Sequence, residues 1–378
     1  MLKSFSVSNC LGFKDELILD LSNIRDYKFN ENCIKEDIVK NAIVYGKNAV
    51  GKTCLMRAIL DIFFTNSDMP LSLPDGFRYK NADASDDELI TFKYSFVIDN
   101  QIVDYFYQKS DFFNVVSEKL VVNGTYIYEY DRLKDLYDFE NTKIIGVETL
   151  DWNAFENIES ITSSDNPYSL TALRYIFRNT TAATTSIIGP LMSFIINMRG
   201  MSSFGMLRYS QRPGAINKIA DSEDEVKKFQ QFLNTFGVNC KLTIIEDAEG
   251  KKDIYFDHLK PLNFSKNMSS GTKQLTAFYL NYIFPSKKPS ILLFDEFDAN
   301  FHFELSEKIV RMLENVFNCQ VLLTSHNTSL LSNTIMRPDC YFILNDGKIT
   351  PICDATDREL RQGHNLEKLL RNGEFNEF

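Results

Sequence analysis

The feature that most constrains the fold is the glycine loop at residues 46–53, GKNAVGKT, which fits the pattern G-x-x-x-x-G-K-[ST]. Residues 42–45 before it are apolar and predict a buried strand, and the spacing of apolar residues after Lys52 predicts a helix. Glycines let successive backbone N–H groups turn towards a phosphate, and the start of a helix favours an anion. This pattern predicts a strand–loop–helix unit that binds nucleotide phosphates; a chance glycine turn before a lysine is the alternative.

The side chains of this loop have distinct expected tasks. The ammonium of Lys52 should reach the β- and γ-phosphates, and the hydroxyl of Thr53 should bind Mg²⁺. Cys54 could make the site reactive towards thiol reagents, or it could be an ordinary cysteine of a buried helix. The residues expected to line the nucleotide are Gly46, Asn48, Ala49, Val50, Gly51, Lys52, Thr53 and Cys54.

A phosphate loop that works with Mg²⁺ needs an acidic site nearby. Residues 290–296, SILLFDE, predict a buried strand that ends in two carboxylates. We expect Asp295 to hold Mg²⁺, mostly through water, and Glu296 to orient or deprotonate the attacking water. The alternative is a pair of solvated acids at the end of a strand.

Three further segments resemble motifs of ABC-type ATPases. MSSGT at 268–272 resembles the signature loop, FDANFH at 297–302 the D-loop, and VLLTSH at 321–326 a strand that ends in the switch histidine. With the strands predicted at 2–8 and 16–21, these runs are similar to stand-alone prokaryotic ATPases of the SMC/RecF/OLD-like branch. Many of those belong to antiviral and abortive-infection systems. The resemblance covers residues 1–145 and 261–378 well and the middle poorly.

The resemblance implies an α/β fold, a P-loop NTPase head of the ABC type with an N-terminal β-rich lobe and a helical insertion. It also implies that two subunits sandwich two ATP molecules, each held by one subunit's P-loop and by Ser269, Ser270 and Gly271 of the other. Asp298 would couple the two sites. His326 would act as a catalytic residue beside the γ-phosphate, or else it is a satisfied histidine at a strand end.

Three positions depart from the family pattern. Ser270 stands where a glycine is usual in the signature loop. The glutamine that links the lobes to Mg²⁺ is unclear, and Gln108 is the candidate metal residue. An arginine that is often near the nucleotide is absent, with Lys14 as its possible substitute.

Length and composition limit the class of protein and the number of its segments. At 378 residues with 44% hydrophobic residues, the chain can bury a large core, which excludes a disordered protein. We expect three segments: 1–148 and 241–378 as the two parts of the ATPase head, and 149–240 as a basic helical insertion. The seven cysteines form no CxxC pair, and no signal peptide or bilayer span is evident, so a cytoplasmic protein without a membrane partner is expected.

Residues 166–220 contain no Asp or Glu, although the whole chain has a net charge of −10. Cations interleaved with aromatic residues are one mark of a nucleic-acid groove, but a docking face for an acidic surface is the other reading. The cations are Arg174, Arg178, Arg199, Arg208, Arg212 and Lys218, and the aromatic residues are Phe177, Phe194, Phe204 and Tyr209.

The resemblance implies an ATPase that dimerises around ATP and acts as a sensor or switch in prokaryotic antiviral defence. The chain ends about 50 residues after His326, so a separate effector, a nuclease or toxin, is expected. The alternatives are a RecF-like DNA-binding ATPase in repair and an ATP-binding scaffold with little turnover. The length of the segment between Thr53 and Ser269 argues against a transporter subunit.

Overall fold

The computed structural model of the chain describes residues 1–67, 76–156, 169–181, 185–202, 215–283, 288–316 and 319–375. The α-helices in these ranges are α1 (Lys52–Asn66), α2 (Trp152–Glu156), α3 (Ala172–Asn179), α4 (Ile188–Ile196), α5 (Ala215–Ala220), α6 (Glu223–Thr235), α7 (Phe264–Asn267), α8 (Ser270–Phe278), α9 (Phe303–Val316) and α10 (Leu366–Arg371). The strands are β1 (Leu2–Ser8), β2 (Leu17–Asp20), β3 (Ile34–Lys35), β4 (Ile38–Val39), β5 (Asn41–Tyr45), β6 (Ile90–Ile98), β7 (Gln101–Lys109), β8 (Val115–Val122), β9 (Thr125–Asp131), β10 (Leu136–Asp138), β11 (Arg199–Ser202), β12 (Leu242–Glu246), β13 (Lys252–Phe256), β14 (Leu262–Asn263), β15 (Ile291–Asp295), β16 (Gln320–Ser325), β17 (Tyr341–Asn345) and β18 (Lys348–Pro351).

The N-terminal β-rich lobe is an antiparallel sheet with the strand order β10-β9-β8-β7-β6-β1-β2. Residues of β6 alternate between buried and more exposed positions, so one face of the sheet is apolar. This face packs on α1, where the hydroxyl of Tyr94 donates to the carbonyl of Ala58 at 2.9 Å. The hairpin between β8 and β9 turns at Asn123 and Gly124, and both residues have the positive φ that a two-residue type I′ turn requires.

The second large sheet has the order β11-β15-β16-β5-β17-β18, and all its neighbours are parallel except β17 and β18. Every residue of β5, β15 and β16 is buried, as expected for strands that are covered on both faces. Because these three strands are parallel, their carboxyl ends meet at one edge of the sheet. That edge carries the glycine loop, the acidic pair at 295–296 and His326.

The described residues of the segment at 149–240 are mainly helical, but they also supply an edge strand that the sequence did not indicate. β11 pairs in parallel with β15, so that Ser202 lies opposite Asp295. A Cβ at Gly200 would lie 2.3 Å from Cδ1 of Leu60 on α1, so a larger residue there would need the Leu60 side chain to shift. α4 packs on α1, whereas α5 and α6 pack on the small sheet β12-β13-β14. The boundaries at 149 and 240 therefore stay a prediction.

The predicted fold class is confirmed: the chain is an α/β protein with a P-loop between β5 and α1 and with an N-terminal β-rich lobe. α1 lies between the two large sheets, in contact with β15 on one side and bonded to β6 and β7 on the other. Within the described ranges, no helix combines the length and the apolar character needed to cross a membrane.

Candidate functional site

The glycine loop is tightly enclosed at two of its positions. A Cβ at Gly46 would lie 2.6 Å from the carbonyl oxygen of Leu344, so a side chain cannot be accommodated without moving backbone. Gly51 caps α1 with a φ of +107°, and a Cβ there would lie 3.0 Å from the ring of Phe13. These constraints explain why both glycines are needed for this loop to reach the start of α1.

The predicted lining residues between these glycines differ in exposure. Asn48 and Ala49 are exposed, Val50 and Cys54 are half-buried, and Ala49 has a positive φ of 67°. An exposed loop of this shape presents its backbone to a ligand. The half-buried position of Cys54 leaves both readings of that cysteine open.

Lys52, the first residue of α1, folds back over its own loop. Its ammonium donates to the carbonyl oxygens of Gly46 at 2.8 Å and Lys47 at 2.9 Å. Burial lowers the pKa of Lys52, and the charges of Glu296 and Asp295 oppose that shift. The ammonium is therefore bonded to the backbone of the glycine loop at the carboxyl edge of the sheet.

Asp295 is held by two threonine hydroxyls. Thr53 donates to Oδ2 at 2.7 Å, and Thr324 of β16 donates to Oδ1 at 2.7 Å. The hydroxyl of Thr324 also accepts the backbone N–H of Glu296 at 2.7 Å. Thr324 thus positions both acids, although the motifs did not identify it. The strand register could have indicated Thr324. Phe294 lies opposite Leu323, so the residues that follow them, Asp295 and Thr324, lie next to each other at the sheet edge.

Glu296, His326 and Lys52 form the polar rim of this edge. Nε2 of His326 lies 3.3 Å from Oε1 of Glu296, and Nδ1 lies 3.3 Å from the Lys52 ammonium. In the arrangement that fits these partners, Nδ1 accepts from the Lys52 ammonium and Nε2 donates to Glu296. Glu296 has a φ of +46°, an unfavourable conformation for a residue with a side chain, which turns the carboxylate out of the strand line.

The donor set at this edge fits a Mg²⁺ ion that is bound together with a nucleotide. The Thr53 hydroxyl and the Asp295 carboxylate are hard oxygen ligands within hydrogen-bond distance of each other. In the part of the chain that the structure describes, no group of three or more His, Cys, Asp or Glu side chains is arranged to hold a metal. Mg²⁺ at this position would therefore take its remaining ligands from phosphate and water.

The signature-like segment forms the start of α8. Ser269 caps this helix, and its hydroxyl accepts the backbone N–H of Thr272 at 3.2 Å. Ser269 and Ser270 are exposed, whereas Gly271 packs on the D-loop-like segment, since a Cβ there would lie 3.2 Å from the carbonyl oxygen of Asn300. The two serines are accessible to a ligand from outside this subunit.

Asp298 is buried next to the histidine strand. Its Oδ2 accepts a hydrogen bond from the hydroxyl of Ser325 at 2.6 Å, and burial raises the pKa of the carboxyl group. Ser325 directly precedes His326, so Asp298 is connected to the polar rim through one hydrogen bond and one peptide unit.

Two predicted residues lie in other surroundings. Gln108 donates to the hydroxyl of Thr91 at 3.0 Å and accepts from Ser117 at 3.1 Å, on the face of the β-rich sheet opposite to α1. This position stands apart from the threonine–aspartate cluster. Lys14 donates to both carboxylate oxygens of Glu88 at 2.6 Å, and this bonding, together with hydrogen bonds from Ser85, lowers the pKa of Glu88 to about 2.

The basic segment does not present all of its cations outwards. Arg174 is buried, and Arg199 donates to the carbonyl oxygens of residues 196 and 198, whereas Arg178 and Lys218 are exposed. Residues of this segment that lie outside the described ranges are Phe204, Arg208, Tyr209 and Arg212. Among the described cations of this segment, only Arg178 and Lys218 are exposed, so the described residues do not form a basic groove for nucleic acid.

A fully buried polar cluster behind the P-loop was not predicted. The ammonium of Lys109 on β7 donates to both oxygens of Asp61 on α1, at 2.9 and 3.1 Å, and both side chains are 0% exposed. The hydroxyls of Tyr79, Tyr107 and Thr65 donate to the same carboxylate at 2.6, 2.8 and 2.9 Å. The cluster ties the P-loop helix to the β-rich lobe.

Comparisons with known proteins place this site in a family context. Residues 42–332 match the family described as "AAA domain, putative AbiEii toxin, Type IV TA system". No curated protein is similar to the chain at a significant level.

Solved structures that are similar to the chain include SMC heads. One is the SMC head domain from Thermotoga maritima, with 14% identity, coverage of 93% of this chain and 98% of that chain, and a TM-score of 0.43. Another is the SMC head bound to the C-terminal winged-helix domain of ScpA, with 14% identity, coverage of 92% and 96%, and a TM-score of 0.43. The third is the Pyrococcus furiosus SMC head with an extended coiled coil, bound to the C-terminal domain of ScpA, with 13% identity, coverage of 92% and 95%, and a TM-score of 0.45.

Proposed function

The chain belongs to the family of AAA domains described above, and on this premise we propose that it hydrolyses ATP between two copies of itself and thereby switches a separate effector. The observation that carries the proposal is the convergence of five side chains at one sheet edge. They come from the start of α1 and the ends of β15 and β16, and they are Lys52, Thr53, Asp295, Glu296 and His326.

Each of these groups has a task in phosphoryl transfer. Lys52 would reach the β- and γ-phosphates, while Thr53 and Asp295 would hold Mg²⁺, which would neutralise phosphate charge. Glu296 orients the attacking water and accepts its proton. His326 donates to Glu296 through Nε2 and so holds the carboxylate towards the water.

The proposed dimer places the exposed serines of one copy at the nucleotide of the other. We expect ATP with Mg²⁺ to double the mass of the protein in light scattering. The variant Ser269→Arg should bind ATP but remain a monomer, because the bulk of the arginine side chain would fill the space that the partner's phosphates need at this exposed position. Ser193→Arg, at an exposed serine of α4, is the matched control and should dimerise normally. A Ser269→Arg variant that dimerises like the control would contradict the sandwich arrangement.

The defence role rests on the family description, which names a toxin–antitoxin system, and on the resemblance of the motifs. The test is purification of the untagged chain from its native cells, followed by nuclease and toxicity assays of what co-purifies. We expect an effector whose activity changes when ATP is replaced by ADP. Turnover that is stimulated by DNA ends in the absence of any partner protein would favour the RecF-like alternative instead. Absence of turnover would favour the scaffold.

Thr324 gives a prediction of intermediate size. Thr324→Val keeps the shape but removes the hydroxyl shared by Asp295 and the N–H of Glu296, and an unsatisfied buried group costs about 1–3 kcal/mol. We expect turnover, measured as phosphate release, to fall roughly tenfold. Thr324→Ser retains the hydroxyl and should stay within about threefold of the parent. Equal activity of the valine and serine variants would exclude this positioning role.

A further inference from the structure

A single buried glutamine joins the signature helix to the D-loop. Gln274 lies on α8, and its side-chain N–H donates to the carbonyl oxygen of Phe297 at 2.9 Å. Its carbonyl accepts from the side-chain amide of Asn300 at 3.1 Å. Gln274 is 7% exposed, and one turn earlier Gly271 packs on the carbonyl of Asn300. Both the N–H group and the carbonyl oxygen of this side-chain amide therefore form hydrogen bonds with the D-loop.

The D-loop is in turn bonded to the strand that carries His326. The backbone N–H of Phe297 donates to the carbonyl oxygen of Thr324 at 3.3 Å, and Asp298 accepts from Ser325 at 2.6 Å. Thr324 is the residue that holds Asp295 and the N–H of Glu296. A continuous series of hydrogen bonds thus runs from the acids of a subunit's own site, through the D-loop, to α8.

We infer that Gln274 is a positioning residue that makes the signature loop and the D-loop move as one body. It thereby connects the nucleotide site of one subunit to the serines which that subunit supplies to the other site. The inference rests on the proposed two-subunit arrangement, in which Ser269 and Ser270 act across the dimer. It adds the residue by which events at one ATP alter the signature loop at the second ATP.

A second buried glutamine in the chain shows what a purely structural amide looks like. Gln320, at the start of β16, donates to the carbonyl oxygens of Leu2 and Val39 at 2.9 Å each and accepts the N–H of Leu2 at 2.9 Å. It is 1% exposed, and it lies at the opposite end of its strand from His326. Gln320→Met therefore removes an equally buried amide without touching the D-loop, and it is the matched control for Gln274→Met.

The test compares four quantities in Gln274→Met and Gln320→Met: thermal midpoint, ATP affinity, ATP-dependent dimerisation and phosphate release. Both variants should lose thermal stability, because both leave buried groups unpaired. We expect only Gln274→Met to lose turnover, by roughly tenfold, with ATP affinity within about twofold of the parent and with weaker dimerisation. Asn300→Ala changes an exposed residue and should leave the fold intact. It should also lower turnover and weaken dimerisation at nearly unchanged ATP affinity, but to a smaller extent than Gln274→Met.

The outcomes separate this inference from the function on which it rests. A parent protein that turns over and dimerises, combined with a Gln274→Met variant whose turnover equals that of Gln320→Met, overturns the coupling role alone. A parent that neither turns over nor dimerises overturns the proposed function, and the coupling role with it. Loss of turnover in both glutamine variants to the same extent assigns Gln274 a structural role and also contradicts the inference.

Discussion

Glu296→Gln should abolish steady-state ATP turnover while leaving ATP binding intact. The amide has the shape of the carboxylate and can still accept a hydrogen bond from His326, but it cannot take a proton from water. Loss of a general base typically lowers a rate by about 10²–10⁴-fold. Phosphate release measures the loss, and ATP affinity measured on the same protein should stay close to that of the parent.

The same variant should accumulate in the ATP-bound dimer, because the step that separates the subunits no longer occurs. Glu249→Gln, in the exposed turn between β12 and β13, is the control for removing one negative charge and should behave like the parent. If Glu296→Gln retained a tenth or more of the turnover, Glu296 would not be the general base. The water would then have to be activated by another group at this edge.

The largest expected effect on stability comes from Lys109→Met. This change removes the cation and leaves the fully buried carboxyl group of Asp61 with three hydroxyl partners. Breaking a buried ion pair from one side typically costs about 3–5 kcal/mol in the free energy of unfolding. The cost should be large here because the ammonium also lies 4.9 Å above the ring of Phe112, in a site without water-exposed side-chain surface. Denaturation by urea, followed by circular dichroism, measures the change.

An exposed pair in the same sheet supplies the control for this prediction. Lys119 lies 3.0 Å from Glu129, and their side chains are 40% and 35% exposed, so Lys119→Met should cost about 0–1 kcal/mol. Adding Asp61→Asn to Lys109→Met removes the uncompensated charge and keeps an acceptor for the tyrosine hydroxyls. The double variant should therefore be more stable than Lys109→Met alone. A double variant that is less stable than the single variant would contradict the charge argument.

Local patterns were sufficient for the elements that carry the candidate phosphate site. The apolar runs of β5 and β15 and the glycine loop before α1 are each contained in fewer than twenty consecutive residues, and each is present where it was expected. The side chains that hold these pieces together were not predictable in this way. Thr324 meets Asp295 through strand register, and Gln274 meets Phe297 across 23 positions of sequence.

The buried pair and the edge strand illustrate the same limit. Asp61 and Lys109 are 48 positions apart, and each alone reads as a polar residue on a helix or a strand. β11 has only four residues within a helical segment, and its extended form depends on pairing with β15. Such contacts depend on the tertiary arrangement, which a single sequence does not specify.

The cluster around Asp61 has a mechanical consequence. Five hydrogen bonds from four side chains converge on one carboxylate in a medium of low polarity, where each bond is stronger than in water. We therefore expect α1 and the β-rich sheet to form one rigid unit, with little relative motion at their interface. A displacement of the outer strands of that sheet would therefore also move α1, the helix that begins at the P-loop.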